Sequence, residues 1–172
     1  MNTEYTIDTL PIHRDGDLKQ GLLDLIDDLP SGLIMAEVGC FQGESATLFL
    51  DSGKIKRLYA IDTWKWGIYI LAEQAFDRNM VGRNEVVKLK MDLNQAFASL
   101  PVLDFIYIDG NHRYPFVKRD IENAKKLVKK GGIIAGHDYY QHRVCHVKQA
   151  VDEIFGKPDK VYKDLSWIIH WK

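Results

Sequence analysis

Apolar strand-like runs and amphipathic helical runs alternate along this chain almost without a break from Leu33 to Phe155. Leu33–Val38, 58–61, 85–89, Leu103–Ile108 and 133–135 read as strands. Residues 45–50, 69–79, 94–100, 117–130 and 144–155 read as the helices between them, and 18–29 as a helix before the first strand. A strand that runs parallel to its neighbour needs a crossover, and a helix packed back on the sheet supplies one. The alternation therefore predicts an α/β domain, a mostly parallel sheet with helices on both faces. Gly131-Gly132 is expected to cap the helix before it in the left-handed way. The tail offers two more strands, at 160–162 and 167–171. Their short link, Lys163-Asp164-Leu165-Ser166, requires a hairpin, so the last strand should run antiparallel to the rest.

At 172 residues, 46% of them hydrophobic, the chain has the length of one domain with a sizeable core, preceded by a loose arm over residues 1–17. A formal net charge of −1 gives no bulk attraction to nucleic acid or to an anionic membrane. The Lys118, Arg119, Lys125, Lys126, Lys129, Lys130 series reads as a solvated helix face. Two cysteines, Cys40 and Cys145, are too few for a disulfide framework and read as buried or incidental thiols. The first residues lack a basic start followed by an apolar core, and no stretch is apolar enough to span a bilayer. A cytoplasmic protein is the expectation.

Ligands of such sheets bind beyond the carboxyl ends of the strands, where the strand order reverses. That rule places Glu37, Asp62, Asp109, His137 and Asp138 on one rim. The first strand runs into Glu37-Val38-Gly39-Cys40-Phe41-Gln42-Gly43, where two glycines four positions apart open a helix. Glycine lets a backbone approach a ligand closely, and a helix start offers free N–H groups. Asp62 follows 25 residues after Glu37, at the tip of the second strand, where a carboxylate can accept hydrogen bonds from a ribose. The tight G-x-G turn of a dinucleotide binder is missing, which disfavours a nicotinamide oxidoreductase. An acid at the strand tip suits a cationic ligand, such as one with an ammonium and a sulfonium, better than a pyrophosphate.

The ordered set of motifs is more specific. Glu37-x-Gly39-x-x-x-Gly43, Ala60-Ile61-Asp62-Thr63-Trp64, Ile108-Asp109-Gly110-Asn111-His112-Arg113-Tyr114 with Asp120, and Gly131-Gly132-Ile133-Ile134-Ala135-Gly136-His137-Asp138-Tyr139 resemble the class I S-adenosylmethionine-dependent methyltransferases. Within these they are similar to the small-molecule O-methyltransferase-like group called methyltransferase domain 24. The resemblance runs from about Leu33 to Phe155. It implies a Rossmann-like, seven-stranded fold and S-adenosylmethionine as methyl donor. By position, Glu37, Gly39, Cys40, Phe41 and Gly43 would shape the loop under the methionine part. Asp62, Thr63 and Trp64 would lie at the ribose and adenine, Asp92 would meet the adenine amino group, and Asp109 would close the site.

Methyl transfer to oxygen is an in-line displacement that needs an aligned, deprotonated or metal-bound acceptor. Two arrangements fit the ends of the fourth and fifth strands. Asp109 and Asp138, with Asn111 or His137, could hold Mg²⁺ or another divalent cation. Alternatively His112 or His137 could act as general base, with Asp109 beside it. Tyr139, Tyr140, His142, Trp64, Trp66 and Tyr69 would form an aromatic, polar mouth suited to a sugar or a phenolic small molecule, and suited equally to a protein interface. The expected partner is such an acceptor, not nucleic acid or membrane, with self-association left open. A non-catalytic domain of the same fold that binds the donor or a partner is the competing reading.

Overall fold

A computed structural model describes residues 6–7, 10, 15–65 and 67–172. Most of the expected N-terminal arm, and Trp66, lie outside the described residues. The elements run α1 (Gly16–Asp28), β1 (Leu33–Val38), α2 (Glu44–Asp51), β2 (Ile55–Asp62), α3 (Ile68–Asn79), β3 (Val86–Lys90), α4 (Leu93–Ala96), β4 (Leu103–Ile108), α5 (Tyr114–Leu127), β5 (Val128–Gly136), α6 (Val147–Phe155), β6 (Lys160–Val161) and β7 (Trp167–His170).

The seven strands form one sheet in the order β3-β2-β1-β4-β5-β7-β6. β1 pairs parallel with both β2 and β4, β2 with β3, and β4 with β5. β7 runs antiparallel to β5 and to β6, as the short hairpin link requires. The direction of crossover reverses between β1 and β4, so a crevice opens beyond the carboxyl ends of those two strands.

Alternation along the central strands divides the core between the two faces of the sheet. Met35 on β1 with Phe105 and Tyr107 on β4 meets Leu22 and Leu25 of α1, Phe49 of α2 and Phe76 of α3. Ala36 and Val38 with Ile106 and Ile108 meet Leu93 of α4, Ile121 and Ala124 of α5, and Val147 and Ala150 of α6. Both cysteines are free and buried. Among the described residues no helix is long and apolar enough to cross a membrane.

The glycine pair at 131–132 does not cap a helix. α5 begins three residues earlier than its apolar spacing suggests, with a proline in its first turn, and ends at Leu127. Val128 is already extended and pairs with Leu103. Its branched, buried side chain favours the strand over a further helical turn. Gly131, at φ +78°, and Gly132 instead form an irregular step inside β5. Gly131 N–H donates to the Trp171 carbonyl at 2.7 Å, and Trp171 N–H donates to Gly132 at 2.8 Å. Lys129 and Lys130 therefore belong to β5. Lys129 pairs with Asp104 at 2.6 Å, and Lys130 lies over the Trp171 ring. The basic series is thus divided between two elements rather than forming one solvated face.

Candidate active site

The crevice at the β1/β4 switch is a cavity of about 900 Å³, within the usual range for small-molecule sites. Gly39 forms its floor at φ +90°. A Cβ on that residue would lie 2.1 Å from the Asp109 carbonyl oxygen, so the turns after β1 and β4 touch backbone to backbone. Only glycine permits that approach.

Asp62, at the tip of β2, organises the neighbouring wall. Its Oδ2 accepts from Phe41 N–H and its Oδ1 from Trp64 N–H, both at 2.9 Å. The Trp64 indole N–H donates to the Phe41 carbonyl at 2.7 Å. A carboxylate has further lone pairs after two such bonds, so Asp62 keeps acceptor capacity toward the cavity it lines. Phe41, Thr63 and Tyr69 line the same cavity, with Tyr69 edge-on to Phe41 at 5.4 Å.

Four residues expected at the donor lie behind the wall. Glu37 is fully buried, and its Oε1 accepts from Ser45 Oγ at 2.5 Å. It shares the Met35 face of β1, which turns it under α2 rather than into the crevice. Cys40 is buried against the carbonyls of Glu37 and Ile61. Burial, with the charges of Glu37 and Asp62, pushes its thiol up. Gly43 packs beneath Phe76, which a Cβ would reach at 2.9 Å. Trp64 is 1% exposed, packed on Phe76 with Lys88 over its ring. These four support the loop from within.

Asp92 lines the far end of the cavity and also caps α4, accepting from Gln95 N–H at 2.9 Å in a reciprocal capping box. The structure adds a group there that includes Arg119, expected on a solvated helix face, and Asp120, named in the motif set without a role. Arg119 stands 3.9 Å from Asp92 and 3.4 Å from Asp120, with its guanidinium over the Phe116 ring. All four residues line the cavity. Asp120 is 4% exposed, and burial pushes its carboxyl up to about 6. Arg119 opposes the shift and the Asp92 charge adds to it. Helical spacing carries the signal for it: Asp120 falls three residues after Val117 and one before Ile121, on the buried stripe of α5.

Beside the Gly39 turn Asp109, His112, His137 and Asp138 come together. His112 Nε2 lies 3.3 Å from Asp109 Oδ1 and 3.3 Å from Asp138 Oδ2. Burial disfavours charge on this ring, but the Asp109 hydrogen bond and the charges of both acids outweigh it, so its pKa is raised. His137 Nδ1 lies 3.2 Å from Asp138 Oδ1 and 3.9 Å from Asp109 Oδ1. Asp138 holds its side chain inward from a left-handed backbone, φ +57°. Asp109, His137 and Asp138 each offer one ligand atom within 4.8 Å of the others, and two carboxylates with an imidazole suit a divalent cation. Asn111 lines the cavity but its Oδ1 accepts from Arg113 N–H at 3.1 Å.

The mouth is assembled only in part. Tyr69 borders the cavity, and Tyr140 and His142 are exposed. Tyr139 turns toward α6, where its hydroxyl donates to Asp152 at 2.5 Å. Arg113, the residue before α5, and Phe116 in its first turn complete the rim.

The sequence model of a family described as Methyltransferase domain matches residues 36–139, more than half of the chain. An uncharacterised protein, R132, of Acanthamoeba polyphaga mimivirus is 32% identical over 136 residues; the match covers 71% of this chain and 59% of that one, so the chain spans about three-fifths of this curated relative. Precorrin 8W decarboxylase of Methanobacterium thermoautotrophicum superposes with a TM-score of 0.67 at 16% identity, covering 88% of this chain and 77% of the other. The O-methyltransferase TomG of Streptomyces achromogenes, solved in complex with SAM, gives 0.64 at 18% identity, covering 90% and 80%. TrmN of Thermus thermophilus gives 0.57 at 21%, covering 76% and 39%. At these identities the solved structures share the fold, and their names span different chemistries.

Proposed function

Because the chain belongs to the Methyltransferase domain family, we propose that it moves a methyl group from S-adenosylmethionine to an oxygen of a small metabolite or sugar. One observation carries this reading: a single crevice is lined both by the Gly39 turn with Asp62 and by the Asp109–His112 pair, whose imidazole reaches Asp138. The first part suits a ribose and a cationic methionine moiety. The second suits a hydroxyl that must lose a proton.

The donor's positive sulfur supplies the activated methyl group. The protein's task is to align the acceptor oxygen and take its proton. His112 and His137 are the imidazoles beside that position. Asp109 and Asp138 stabilise whichever ring becomes charged. The same acids with His137 would hold a divalent cation, which would polarise the acceptor oxygen as a Lewis acid. Tyr69, Phe116 and Arg113 at the rim offer aromatic and polar contacts of the kind a sugar or a phenol uses.

The test is a panel of sugars and phenols incubated with methyl-labelled donor, with and without Mg²⁺, using wild-type protein and the variants Asp109→Ala, His112→Ala and Asp138→Ala. The expected result is label in one acceptor class, with turnover falling ~10²–10⁴-fold when the proton-accepting group is removed. Label in an acceptor that survives all three substitutions unchanged would move the chemistry elsewhere.

A further inference from the structure

Arg119 on α5 and Asp92 at the cap of α4 stand side by side in the wall of the crevice, and the protein uses up neither. Asp92 Oδ1 accepts from Gln95 N–H at 2.9 Å, while Oδ2 accepts no hydrogen bond among the described residues and lies 3.9 Å from Arg119 Nη2. A guanidinium has five N–H donors. Among the described residues those of Arg119 make one hydrogen bond, from Nη2 to Asp120 Oδ1 at 3.4 Å, and the buried Nε makes none. The group is nonetheless fixed in place. Asp120 is buried, and the Phe116 ring lies against the guanidinium, 5.7 Å from its carbon to the ring centroid, within the range of a cation–π contact. Ion pairs elsewhere on this molecule close up fully: Lys129 meets Asp104 and Lys88 meets Asp77, each at 2.6 Å. Arg119 and Asp92 stop short of that. They present a donor and an acceptor next to each other, both lining the cavity.

We propose that Arg119 is a specificity-determining residue that reads the base of the methyl donor: it donates to a ring nitrogen of the adenine, beside the amino group that faces Asp92. The amino group of adenine lies between two bare ring nitrogens, N1 and N7, so either side of it shows a donor next to an acceptor. Asp92 Oδ2 and Arg119 supply the complement, an acceptor next to a donor. A 6-oxo base would set an oxygen against the carboxylate and leave it without a donor, so the pair selects against such a base as well as for adenine. A planar guanidinium already held by Asp120 and Phe116 loses little freedom when it makes this bond. The inference rests on the donor reading of the crevice, and adds to it a residue outside every motif quoted for the family.

The experiment is calorimetry of the wild-type protein and of Arg119→Met with S-adenosylhomocysteine and with its 1-deaza and 7-deaza analogues, in which C–H replaces one ring nitrogen. Methionine keeps an apolar stem against Phe116 and removes the donors. In the wild type one of the two analogues should bind roughly tenfold or more weakly than the parent, the scale of a lost hydrogen bond from a charged group. In Arg119→Met the parent should fall to the affinity of that analogue, and the difference between them should close. A residue that only shapes the wall would weaken all three ligands together and preserve their ratios. That result, or two analogues that match the parent in the wild type, overturns the proposal. Arg119→Ala repeats the comparison should Arg119→Met fold poorly. Folded wild-type protein that binds none of the three ligands would retire the donor reading, and this inference with it. Equal binding of all three would leave the donor reading standing and overturn this inference alone.

Discussion

Asp62 ties two loops together and is also the residue we propose for the donor's ribose. Its two oxygens tie Phe41 and Trp64 to the tip of β2 while the residue lines the crevice. Asp62→Ala should weaken S-adenosylhomocysteine binding by about 1–3 kcal/mol, the scale of lost hydrogen bonds to a charged group. Calorimetry on the folded variant checks this, and unchanged affinity removes Asp62 from the ribose. Asp120 makes a different prediction. Its carboxyl titrates near 6 in the folded chain against 3.8 when free, so the native state holds a proton that the unfolded state has released. Stability from this group is complete below pH ~4 and falls as pH rises to ~6, by about 3 kcal/mol at most. Asp120→Asn keeps the uncharged shape and should lose this slope, so its melting advantage over wild type should appear on going from pH ~4 to pH ~7. Parallel melting curves at both pH values would refute the assignment. The place of Asp62 at the tip of β2, on the crevice, was legible because strand end and spacing agreed. The burial of Asp120 was less so: the motif set includes the residue, but it sits in the charged run Lys118-Arg119-Asp120, and its place on the buried stripe of α5 is what marks it as buried.

Elements were legible where periodicity had one reading. β1 and β4 fall at Leu33–Val38 and Leu103–Ile108 as the apolar runs define them. The antiparallel last strand followed from the length of its link. Two features depended on pairing that no local pattern carries. Lys129 and Lys130 continue the helical spacing of α5, yet Val128 pairs with Leu103 and the chain turns to strand. Glu37 sits where a strand-tip acid would meet a ligand, yet the two-residue period of β1 turns it under α2 toward Ser45. Gly21, in the middle of α1, belongs with these. Alanine there would favour an isolated helix by roughly 0.5–1 kcal/mol. Here its Cβ would collide with Asp164, backbone and carboxylate alike, at 2.4 Å. Gly21→Ala should therefore destabilise the protein by about 1–3 kcal/mol through overpacking. A thermal melt reads this directly, and a raised midpoint would show that α1 does not rest tightly on the β6–β7 loop.

At the scale of the molecule, the order β3-β2-β1-β4-β5-β7-β6 brings distant segments together at one edge of the sheet. The Gly39 turn and the Asp62 tip come from the first half of the chain, and the Asp92 cap and the Asp109–His112 and His137–Asp138 turns from the second. Their convergence is what the strand–helix alternation promised. What the alternation could not promise is the acceptor, because the rim is built from loops and from the Arg113–Phe116 edge of α5, whose side chains follow no repeating pattern. The central claim concerns the crevice itself, and it is tested by titrating the folded protein with S-adenosylhomocysteine and, separately, with NADH, following heat and intrinsic tryptophan fluorescence. We predict saturable binding of one S-adenosylhomocysteine per chain, weakened in Asp62→Ala, and no binding of NADH. Saturation by NADH with no response to S-adenosylhomocysteine would contradict the account at its root.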